Sequence, residues 1–465
     1  MRKLIAVAVL LAAPTAAWAS PQLTLESHEL KLAGGGTLLV ERGRFKVPED
    51  RRDPKSRQIE IGFLRLKSTS PRPGPPIVYL AGGPGGSGVA AASGARQPIF
   101  LALRQVADVI AFDQRGTGWS NHIAPCSADR VFDASTPLTE ASLTAYYGST
   151  FSKCAVEWRK AGVSLSGYTT EQNADDLEDL RKVLLAQKIN LWGISYGTHL
   201  GLAAMRRHPG SIGRAAFASA EGMDQTVKLP RHVDAAFART EAALGNIGLP
   251  GLIRRVHARY ATPQPLVLNS PKGTLRFKAD AFPLQLLAGG AAKNPEDLPR
   301  LVGLYRALDA GQTEHAAGAL YQFVLAKPLT LSGMPEAMDL ASGISAPRLV
   351  EFDGQAKVGI TGRALNFPMP QLRDSYPGLE LRHSFRREVR SSIPTLLLSG
   401  ELDVRTPIEE QEAAVAGLRR LHKVRVKNGG HDIWEAHPAV PELLVAFFSG
   451  RPLTVRQLEL PAPPK

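Results

Sequence analysis

The stretch Gly-Ile-Ser-Tyr-Gly at residues 193–197 separates two contrasting segments of the chain. Residues 189–192 before it form a short apolar run that predicts a buried strand, and residues 198–207 after it, rich in Ala, Leu and Met, predict a helix. A serine on such a strand-to-helix turn, with glycine two residues away on either side, is typical of a nucleophile elbow. Both ends need glycine because the backbone crowds itself at so sharp a turn. We therefore predict that Ser195 is a catalytic nucleophile.

Length and composition indicate a large globular protein. The 465 residues are 44% hydrophobic, which is enough to bury a large core in one domain with an insertion or in two to three smaller domains. The formal net charge is +13, but no long basic run is present and aromatic residues make up only 6%. Nucleic-acid binding is therefore not supported, and the excess charge indicates a solvated surface.

The segment 1–19 has the features of a signal peptide. Two basic residues precede an apolar run over residues 4–13, and Ala-Trp-Ala at residues 17–19 offers a cleavage site before Ser20. The apolar run is too short to span about 30 Å of hydrocarbon, and no cysteine follows the cleavage site to carry a lipid. We expect an exported protein, periplasmic or extracellular, with no stable membrane anchor.

Two cysteines, Cys126 and Cys154, are present in the whole chain. An exported protein matures in an oxidising compartment, where a single disulfide is the economical interpretation of a cysteine pair. Two free buried thiols are the alternative, because spacing alone does not establish proximity. We expect the disulfide.

A glycine-rich loop, residues 81–88, follows a continuous apolar run at residues 76–80 that predicts a buried strand. So many glycines allow bare backbone N–H groups to face a ligand. A phosphate-binding P-loop is excluded because no Lys-Ser/Thr follows the last glycine. An oxyanion hole is the functional interpretation, and a flexible linker is the alternative.

Residues 106–112 predict the next buried strand, which ends in Asp113 and, two residues later, Arg115. Charged residues at the end of a buried strand need partners, so we expect both to tie their loop to the glycine loop by hydrogen bonds and an ion pair. Upstream, residues 42–47 and 58–67 alternate as antiparallel edge strands do, which predicts an opening hairpin.

Residues 170–187 predict an amphipathic helix between these strands and the elbow. Strands and helices therefore alternate along the first half of the chain, from the glycine loop to the elbow helix. This alternation predicts a parallel sheet covered by helices.

Three motifs together resemble those of prolyl iminopeptidases and bacterial tripeptidyl aminopeptidases. They are Gly-Gly-Pro-Gly-Gly at residues 82–86, Asp-Gln-Arg-Gly-Thr-Gly at residues 113–118, and the elbow at residues 193–197. The signal peptide and the long cysteine-bearing segment are similar to the tripeptidyl branch. The resemblance implies an α/β-hydrolase fold, with a mostly parallel sheet flanked by helices and a helical cap inserted after the strand that follows the elbow helix. It also implies short peptide substrates with a free N-terminus, no cofactor and no metal.

The resemblance also implies a division of the chain. The hydrolase core is expected at residues 20–222 and 388–465, and the helical cap at residues 223–387, where the strand–helix alternation is lost. The tripeptidyl branch often has a second cysteine pair in this region, but Leu340 and Leu372 stand where those cysteines are expected. We therefore expect apolar packing to hold the cap.

Two late loops complete a Ser, Asp, His chain order, which the fold requires. Residues 395–399 predict a strand followed by Asp403, and residues 423–426 predict a strand followed by His431. Glu401 is a rival for the acid, but the family pattern favours Asp403.

A metal site at His431 with Glu435 and His437 is discounted. The spacing of these residues fits no helical pair of ligands, and the family is free of metal.

The predicted mechanism is acyl transfer. His431 accepts the proton of Ser195 while Asp403 orients the imidazole, and the backbone N–H groups of Gly83 and Tyr196 hold the oxyanion. The acyl-enzyme is then hydrolysed.

A buried N-terminal ammonium of the substrate needs a carboxylate partner. Glu221, which follows the strand after the elbow helix, is the candidate, and Asp224 is second. In the alternative interpretation, Glu221 caps the strand end or pairs with a surface arginine.

Other functions remain open at this point. A secreted carboxylesterase or lipase would use the same triad, and an inactive binding protein could share the fold. An epoxide hydrolase or dehalogenase is disfavoured because it would need Asp in place of Ser195. The motifs leave the residue preference and the oligomeric state open.

Overall fold

The computed structural model describes residues 22–271 and 273–464. The predicted signal peptide, residues 1–19, lies outside the described residues. Within the described part, no helix combines the length and apolar character needed to cross a bilayer.

Strands and helices alternate along most of the chain. The strands are β1 (Thr24–Lys31), β2 (Thr37–Pro48), β3 (Gln58–Leu66), β4 (Gly74–Leu80), β5 (Ala107–Phe112), β6 (Cys126–Ser127), β7 (Ile189–Ile194), β8 (Ile212–Ala218), β9 (Gln264–Ser270), β10 (Gly273–Ala279), β11 (Thr330–Leu331), β12 (Thr395–Gly400), β13 (Leu421–Lys427) and β14 (Gln457–Glu459). The helices are α1 (Gly88–Ser93), α2 (Gln97–Leu103), α3 (Glu140–Lys160), α4 (Thr170–Val183), α5 (Tyr196–Arg207), α6 (Pro230–Ala243), α7 (Leu249–Arg259), α8 (Ala281–Ala291), α9 (Leu298–Asp309), α10 (Glu314–Leu320), α11 (Met334–Ser342), α12 (Ala346–Ala356), α13 (Ile408–Ala414) and α14 (Val440–Phe448). Short 3₁₀ turns lie at Leu165–Gly167, Pro209–Ser211, Pro295–Asp297 and His383–Arg386, and a π-helical turn lies at Tyr321–Leu325.

A ten-stranded sheet in the order β1-β2-β3-β5-β4-β7-β8-β12-β13-β14 forms the centre of the molecule. The pairs from β1 to β5 are antiparallel, and the pairs from β5 to β14 are parallel. Every residue of β7 and β12 is buried, as expected for parallel strands covered on both faces. The predicted α/β architecture, a mostly parallel sheet flanked by helices, is confirmed.

The predicted opening hairpin is present as β2 and β3, but it does not form the edge of the sheet. Strand β1 pairs with the outer side of β2, with Thr24 opposite Arg44 and Lys31 opposite Thr37. The residues of β1 are largely exposed and include charged side chains, which is how edge strands avoid further pairing. The sequence pattern missed β1 because a strand with so little burial has no apolar face to detect.

The two faces of the sheet bury separate apolar clusters. On one face, Tyr79, Phe100, Trp192 and Trp434 pack as a chain of aromatic contacts with ring centroids 4.6–6.0 Å apart. The other face packs against α4, α5 and α11. Because both faces are covered, the functional groups emerge only at the carboxyl ends of the strands.

The segment between β8 and β12 is mostly helical, as expected for a cap, and it has an apolar cluster of its own. It also contains the antiparallel hairpin of β9 and β10, so the expectation of an all-helical insertion was incomplete. Leu340 and Leu372, at the positions where cysteines were expected, are only 4% and 5% exposed and lie in one apolar cluster. Apolar packing takes the place of a second cysteine pair.

The predicted disulfide between Cys126 and Cys154 is present, with a Cα–Cα distance of 5.6 Å. It joins β6 to α3. The same β6 pairs antiparallel with β11 of the inserted segment, with Leu331 opposite Cys126. The cysteine-bearing segment and the cap are therefore connected by a short sheet.

Candidate active site

Ser195 lies between β7 and α5 in a backbone conformation that residues other than glycine rarely adopt, with φ 54° and ψ −128°. Hydrogen bonds on both sides hold it there. Its N–H donates to the carbonyl of Ala218 at 3.1 Å, and its carbonyl accepts from the N–H and the hydroxyl of Thr198 at 2.8 and 2.7 Å. A strained serine held by its surroundings is the geometry expected of a nucleophile elbow.

The two glycines of the elbow are required by close approach of the backbone. A Cβ atom at Gly193 would lie 2.9 Å from the carbonyl oxygen of Gly197, and one at Gly197 would overlap the carbonyl of Leu80. The crowding predicted from the sequence is therefore present.

Asp403 and His431 meet at the carboxyl ends of β12 and β13. The Nδ1 atom of His431 lies 3.0 Å from Oδ2 of the buried Asp403. Thr406 donates to the same carboxylate from its N–H at 2.8 Å and from its hydroxyl at 2.6 Å. Burial alone would raise the pKa of Asp403, but the imidazole and these donors outweigh burial and lower the pKa. Among the described residues, the imidazole of His431 forms hydrogen bonds with Asp403 and Thr406 and none with the rival acid Glu401.

The loop of His431 is held by both the core and the cap. Ser219, after β8, donates its hydroxyl to the carbonyl of His431 at 2.8 Å. From the cap, the side-chain oxygen of Asn294 accepts from the N–H groups of His431 and Asp432 at 2.9 and 3.0 Å. Asn294 was missed by the sequence analysis because an asparagine between two predicted helices carries no distinguishing signal.

Ser195 and His431 face one cavity of about 350 Å³. No hydrogen bond joins their side chains within the described part of the chain, and such bonds often tighten only when substrate binds. The cavity is lined by Gly82, Gly83, Arg96, Ile194, Ser195, Lys293, Arg405, His431 and Asp432.

The predicted oxyanion-hole donors lie beside the nucleophile. Gly83 lines the cavity, and Tyr196 is the first residue of α5. Among residues 22–271 and 273–464, no acceptor faces the backbone N–H of either residue. A Cβ atom at the neighbouring Gly82 would lie 3.0 Å from that of Ser195, so the glycine loop packs directly on the serine. These free donors are consistent with the predicted role, which stays a prediction.

Asp113, in the loop after β5, supports the glycine loop as expected. Its carboxylate accepts from the hydroxyl of Ser87 at 2.7 Å and from the N–H groups of Val89 and Trp119 at 3.1 and 2.6 Å. Gln114 adds a bond from its side-chain nitrogen to the carbonyl of Ala81 at 2.8 Å.

The expectation for Arg115 was wrong. The buried guanidinium forms a bidentate ion pair with Asp176 of α4, with distances of 2.7 and 2.6 Å, and it does not reach the glycine loop. It also donates to the carbonyls of Glu49 and Gly167 at 2.6 and 2.5 Å. A long side chain reaches past its own loop, and helix α4 supplies the carboxylate that a buried guanidinium needs.

Two families match this chain over the regions that carry the triad. Residues 75–248 match the family described as alpha/beta hydrolase fold, and residues 377–452 match the family described as TAP-like protein. The first region contains Ser195, and the second contains Asp403 and His431. The chain has the α/β-hydrolase fold.

The chain is distantly related to proteins that are named as peptidases. It is 30% identical over 171 residues to a tripeptidyl aminopeptidase of Streptomyces coelicolor, covering 35% of this chain and 31% of the relative. It is 27% identical over 189 residues to the serine protease Hip1 of Mycobacterium bovis, covering 39% of this chain and 35% of the relative. The matched part therefore spans about a third of the length of these relatives.

Among solved structures, the hydrolase is similar to an epoxide hydrolase from an endophytic Streptomyces. The TM-score is 0.41 and the identity 14%, with 94% of this chain and 98% of the other covered.

The two predicted amine-binding carboxylates of the hydrolase already have partners. Glu221 forms an ion pair with Lys228 at 2.8 Å, and both side chains are buried. Asp224 accepts from the N–H and hydroxyl of Ser345 at 2.8 and 2.6 Å. The partner of Glu221 is thus a buried lysine, whereas the alternative interpretation named a surface arginine. The role in substrate binding stays a prediction.

A further carboxylate, Asp339 of α11, was missed by the sequence analysis. It lines an apolar cavity of about 260 Å³ with Leu340 and Leu372, and its side chain has no hydrogen-bond partner among the described residues. Burial, assisted by the charge of Glu221, raises the pKa of Asp339 to about 7. The only sequence signal was an acidic residue between apolar residues of a short helix, which is also typical of an exposed helix face.

The discounted metal site is not assembled. Glu435 pairs with Arg96 at 3.0 Å, and the Nδ1 atom of His437 accepts from the N–H of Ala439 at 3.1 Å. Within residues 22–271 and 273–464, no group of three or more His, Cys, Asp or Glu side chains could hold a metal ion.

Proposed function

We propose that the protein is a serine exopeptidase that releases one to three residues from the free N-terminus of short peptides. The observation that carries the proposal is a strained Ser195 facing the same cavity as a His431 that is paired with the buried Asp403. The distant relationship to a tripeptidyl aminopeptidase of Streptomyces supports peptides as the substrate class. The cap over the cavity supports short substrates.

The first step is attack by the Ser195 hydroxyl on the carbonyl carbon of the scissile amide. Nε2 of His431 accepts the hydroxyl proton, and Asp403 stabilises the resulting imidazolium through Nδ1. The carbonyl oxygen becomes negative and accepts hydrogen bonds from the free N–H groups of Gly83 and Tyr196, each worth about 10²–10³ in rate if they behave like other such donors. The N-terminus of α5 adds favourable potential at the same place.

The leaving amine then takes the proton from His431 as the C–N bond breaks, and an acyl-enzyme remains on Ser195. Water attacks the ester with His431 again acting as base, which releases the N-terminal fragment and restores the serine. The same three side chains, Ser195, His431 and Asp403, would also hydrolyse an ester. The preference for peptides must therefore come from recognition of the free amine.

Three carboxylates are candidates for that recognition, although the described residues that line the cavity of Ser195 and His431 include none of them. Glu221 and Asp224 are the predicted pair, and Glu221 would have to share its charge between the substrate ammonium and Lys228. Asp339 has no lysine or arginine ion-pair partner among the described residues. It interacts electrostatically with Glu221 and Lys228, because beside the effect of burial the first raises its pKa and the second lowers it. Glu221 remains our first candidate for binding the substrate amine. Asp339 is a further candidate that becomes apparent only in the folded structure.

We also propose that the protein acts after export, in the periplasm or outside the cell. The disulfide between Cys126 and Cys154 is of the kind that persists in oxidising compartments. The proposed leader, residues 1–19, is the sequence feature that supports export.

The test is a comparison of matched peptide anilides with a free and an acetylated N-terminus, alongside an aryl ester of butyric acid. We expect cleavage of the free peptides, loss of cleavage on acetylation, and no activity in Ser195→Ala. Rapid cleavage of acetylated peptides would remove the exopeptidase assignment. Hydrolysis of the ester without any peptide cleavage would make the protein a carboxylesterase.

A further inference from the structure

The cavity over Ser195 is lined by more positive than negative side chains. Arg96, Lys293 and Arg405 contribute three cations, and Asp432 is the one acidic residue among the cavity-lining residues of the described chain. Two of the cations have carboxylate partners. Lys293 lies 2.7 Å from Asp432, and Arg96 lies 3.0 Å from Glu435 and 3.4 Å from Asp432.

Arg405 differs from the other two cations. No carboxylate of residues 22–271 and 273–464 forms an ion pair with it, and its one hydrogen bond runs from Nη1 to the carbonyl of Leu365 at 2.6 Å. A guanidinium carries five N–H donors in a planar fork. Four donors of a half-buried arginine therefore remain available beside the nucleophile.

Both the backbone and the guanidinium of Arg405 are held in place by hydrogen bonds of neighbouring groups. Its backbone lies in the loop of the catalytic acid, where the N–H of the next residue, Thr406, donates to Asp403 at 2.8 Å. Its guanidinium donates a hydrogen bond to the carbonyl of Leu365 in the cap segment. A charge held from both sides loses little conformational entropy when it binds a ligand.

The surrounding charges do not neutralise Arg405. Burial is the main cause of the lowered pKa of Lys228 and of the raised pKa of Asp339; the charge of Arg405 adds to the first shift and opposes the second. Asp339 is not an ion-pair partner of Arg405. The buried pair of Glu221 and Lys228 is already balanced internally.

We propose that Arg405 binds a carboxylate of the substrate inside the cavity shared by Ser195 and His431. A planar, charge-assisted pair with a carboxylate uses the donors that the protein leaves free. The proposal rests on the proposed function only in that the substrate is a short peptide, because the anion site itself does not depend on the bond that is cleaved.

The size of the cavity limits where that carboxylate can be. About 350 Å³ is at the small end of ligand pockets, which hold roughly 300–1,000 Å³. The anion must therefore lie close to the cleaved bond. It is either the free C-terminus of a very short peptide or the side chain of an acidic residue next to that bond.

The experiment measures binding without turnover, by calorimetry on the full chain carrying Ser195→Ala. One pair of probes is trialanine as the free acid and as the C-terminal amide. A second pair is alanyl-glutamate amide and alanyl-glutamine amide, which isolates the side-chain carboxylate. We expect one acidic probe to bind about tenfold or more tightly than its neutral partner, the range for a charge-assisted hydrogen bond.

Variants of Arg405 then decide whether this residue is responsible. Arg405→Met should abolish the preference for the acid, and Arg405→Lys should keep part of it because the charge remains. Arg390→Met is the matched control, since that side chain is 80% exposed and lies outside the cavity. A residue that only attached the cap to the core would weaken acidic and neutral probes alike.

The outcomes separate this proposal from the peptidase assignment. Equal binding of acid and amide in both pairs, no binding of any probe, or a preference that survives Arg405→Met would each overturn the anion site. If the preference holds but wild-type protein cleaves no peptide, the peptidase assignment fails and the anion site stands. If Arg405→Met does not fold, Arg405→Lys and Arg405→Gln provide the same comparison.

Discussion

The core and the cap contribute to the active site in different ways. In the core, Ser195, Asp403 and His431 follow β7, β12 and β13, which are neighbouring or near-neighbouring parallel strands of one sheet. In the cap, the contributing groups lie on connections between helices. They are the Lys293 side chain, which lines the cavity, the Asn294 side chain and the Leu365 carbonyl.

This difference assigns separate tasks to the two regions. Groups that are fixed by the sheet meet the precision that proton transfer and nucleophilic attack require. Groups that come from the cap surround the substrate and hold the His431 loop in place. Changes in the triad should therefore reduce kcat for every substrate, whereas changes at Glu221, Asp339 or Arg405 should mainly alter the preference among substrates.

The largest effect is expected from the triad. Ser195→Ala, Asp403→Ala and His431→Ala should each lower kcat by about 10⁴ to 10⁶-fold, because the three groups act as a unit. A fluorophosphonate probe should label wild-type protein and fail to label Ser195→Ala.

The matched control for this series is Ser149→Ala, at an exposed serine of α3. It should keep full activity and labelling. Labelling that persists in Ser195→Ala would show that another residue is the nucleophile.

The sequence was sufficient for the core because its signals are local. The glycines of the elbow and the acid and histidine after predicted strands are each recognisable within a few residues, and parallel strands bring their carboxyl ends together. Asp403 and His431 are 3.0 Å apart although 28 residues separate them in the chain. The fold class followed from the alternation of strands and helices together with the family resemblance. The disulfide partners followed from the presence of only two cysteines in a chain expected to be exported.

The sequence was insufficient where the partner of a side chain is set by tertiary packing. Arg115 was expected at the glycine loop and instead pairs with Asp176 on α4. The cation that pairs with Glu221 is Lys228, seven residues along the chain, and nothing in the spacing indicated that both would be buried. Asp339 lies in a cavity that exists only after α11 packs on the core.

The second largest effect concerns the disulfide that holds β6, the strand that pairs with β11 of the cap. Replacing Cys126 and Cys154 together by serine should lower the free energy of unfolding by about 3 to 4 kcal/mol, the loop-closure value for a separation of 28 residues. Urea unfolding measures it. Adding a reductant to wild-type protein should reproduce the loss, and free thiols in wild-type protein kept under oxidising conditions would contradict the pairing.

The third prediction separates the carboxylate candidates for the substrate amine. Glu221→Gln should lower kcat/KM for peptides with a free amine by about tenfold or more, and it should barely affect an aryl ester that lacks the charge. Asp339→Asn is the parallel variant on the cap. Equal losses on peptide and ester would mark a residue as structural, and a selective loss in Asp339→Asn alone would move the amine site to the cap.

The fourth prediction uses the raised pKa of Asp339. An aspartate in the unfolded chain has a pKa of about 3.9, and in the folded protein the value is about 7. Between these values the folded state holds a proton that the unfolded state has released, so the carboxyl's contribution to stability falls as the pH rises through this window.

Asp339→Asn removes that dependence. The variant should therefore gain stability relative to wild type as the pH is raised from about 4 to about 7. Glu221 and Glu336 reinforce the raised pKa, whereas Lys228 and Arg405 oppose it. Urea midpoints measured across the window test the slope, and a constant difference between the two proteins would contradict the assignment.

The smallest effect is expected where the cap touches the catalytic machinery directly. Asn294 accepts hydrogen bonds from the N–H groups of His431 and Asp432, and its side-chain nitrogen donates to the carboxylate of Asp432 at 2.8 Å. Asn294→Ala removes these bonds. A net loss of about 0.5–1.5 kcal/mol per bond loosens the loop that aims the imidazole at Ser195.

We expect kcat to fall several-fold in Asn294→Ala for peptides and esters alike, because the loop serves proton transfer in both reactions. Asn269→Ala is the matched control, since that asparagine is exposed on the cap hairpin and its side-chain oxygen accepts from the hydroxyl of Thr274 on the same hairpin. A change in KM for peptides without a change in kcat would show that Asn294 acts on the substrate and not on the histidine. That result would place this part of the cap with the groups that select the substrate.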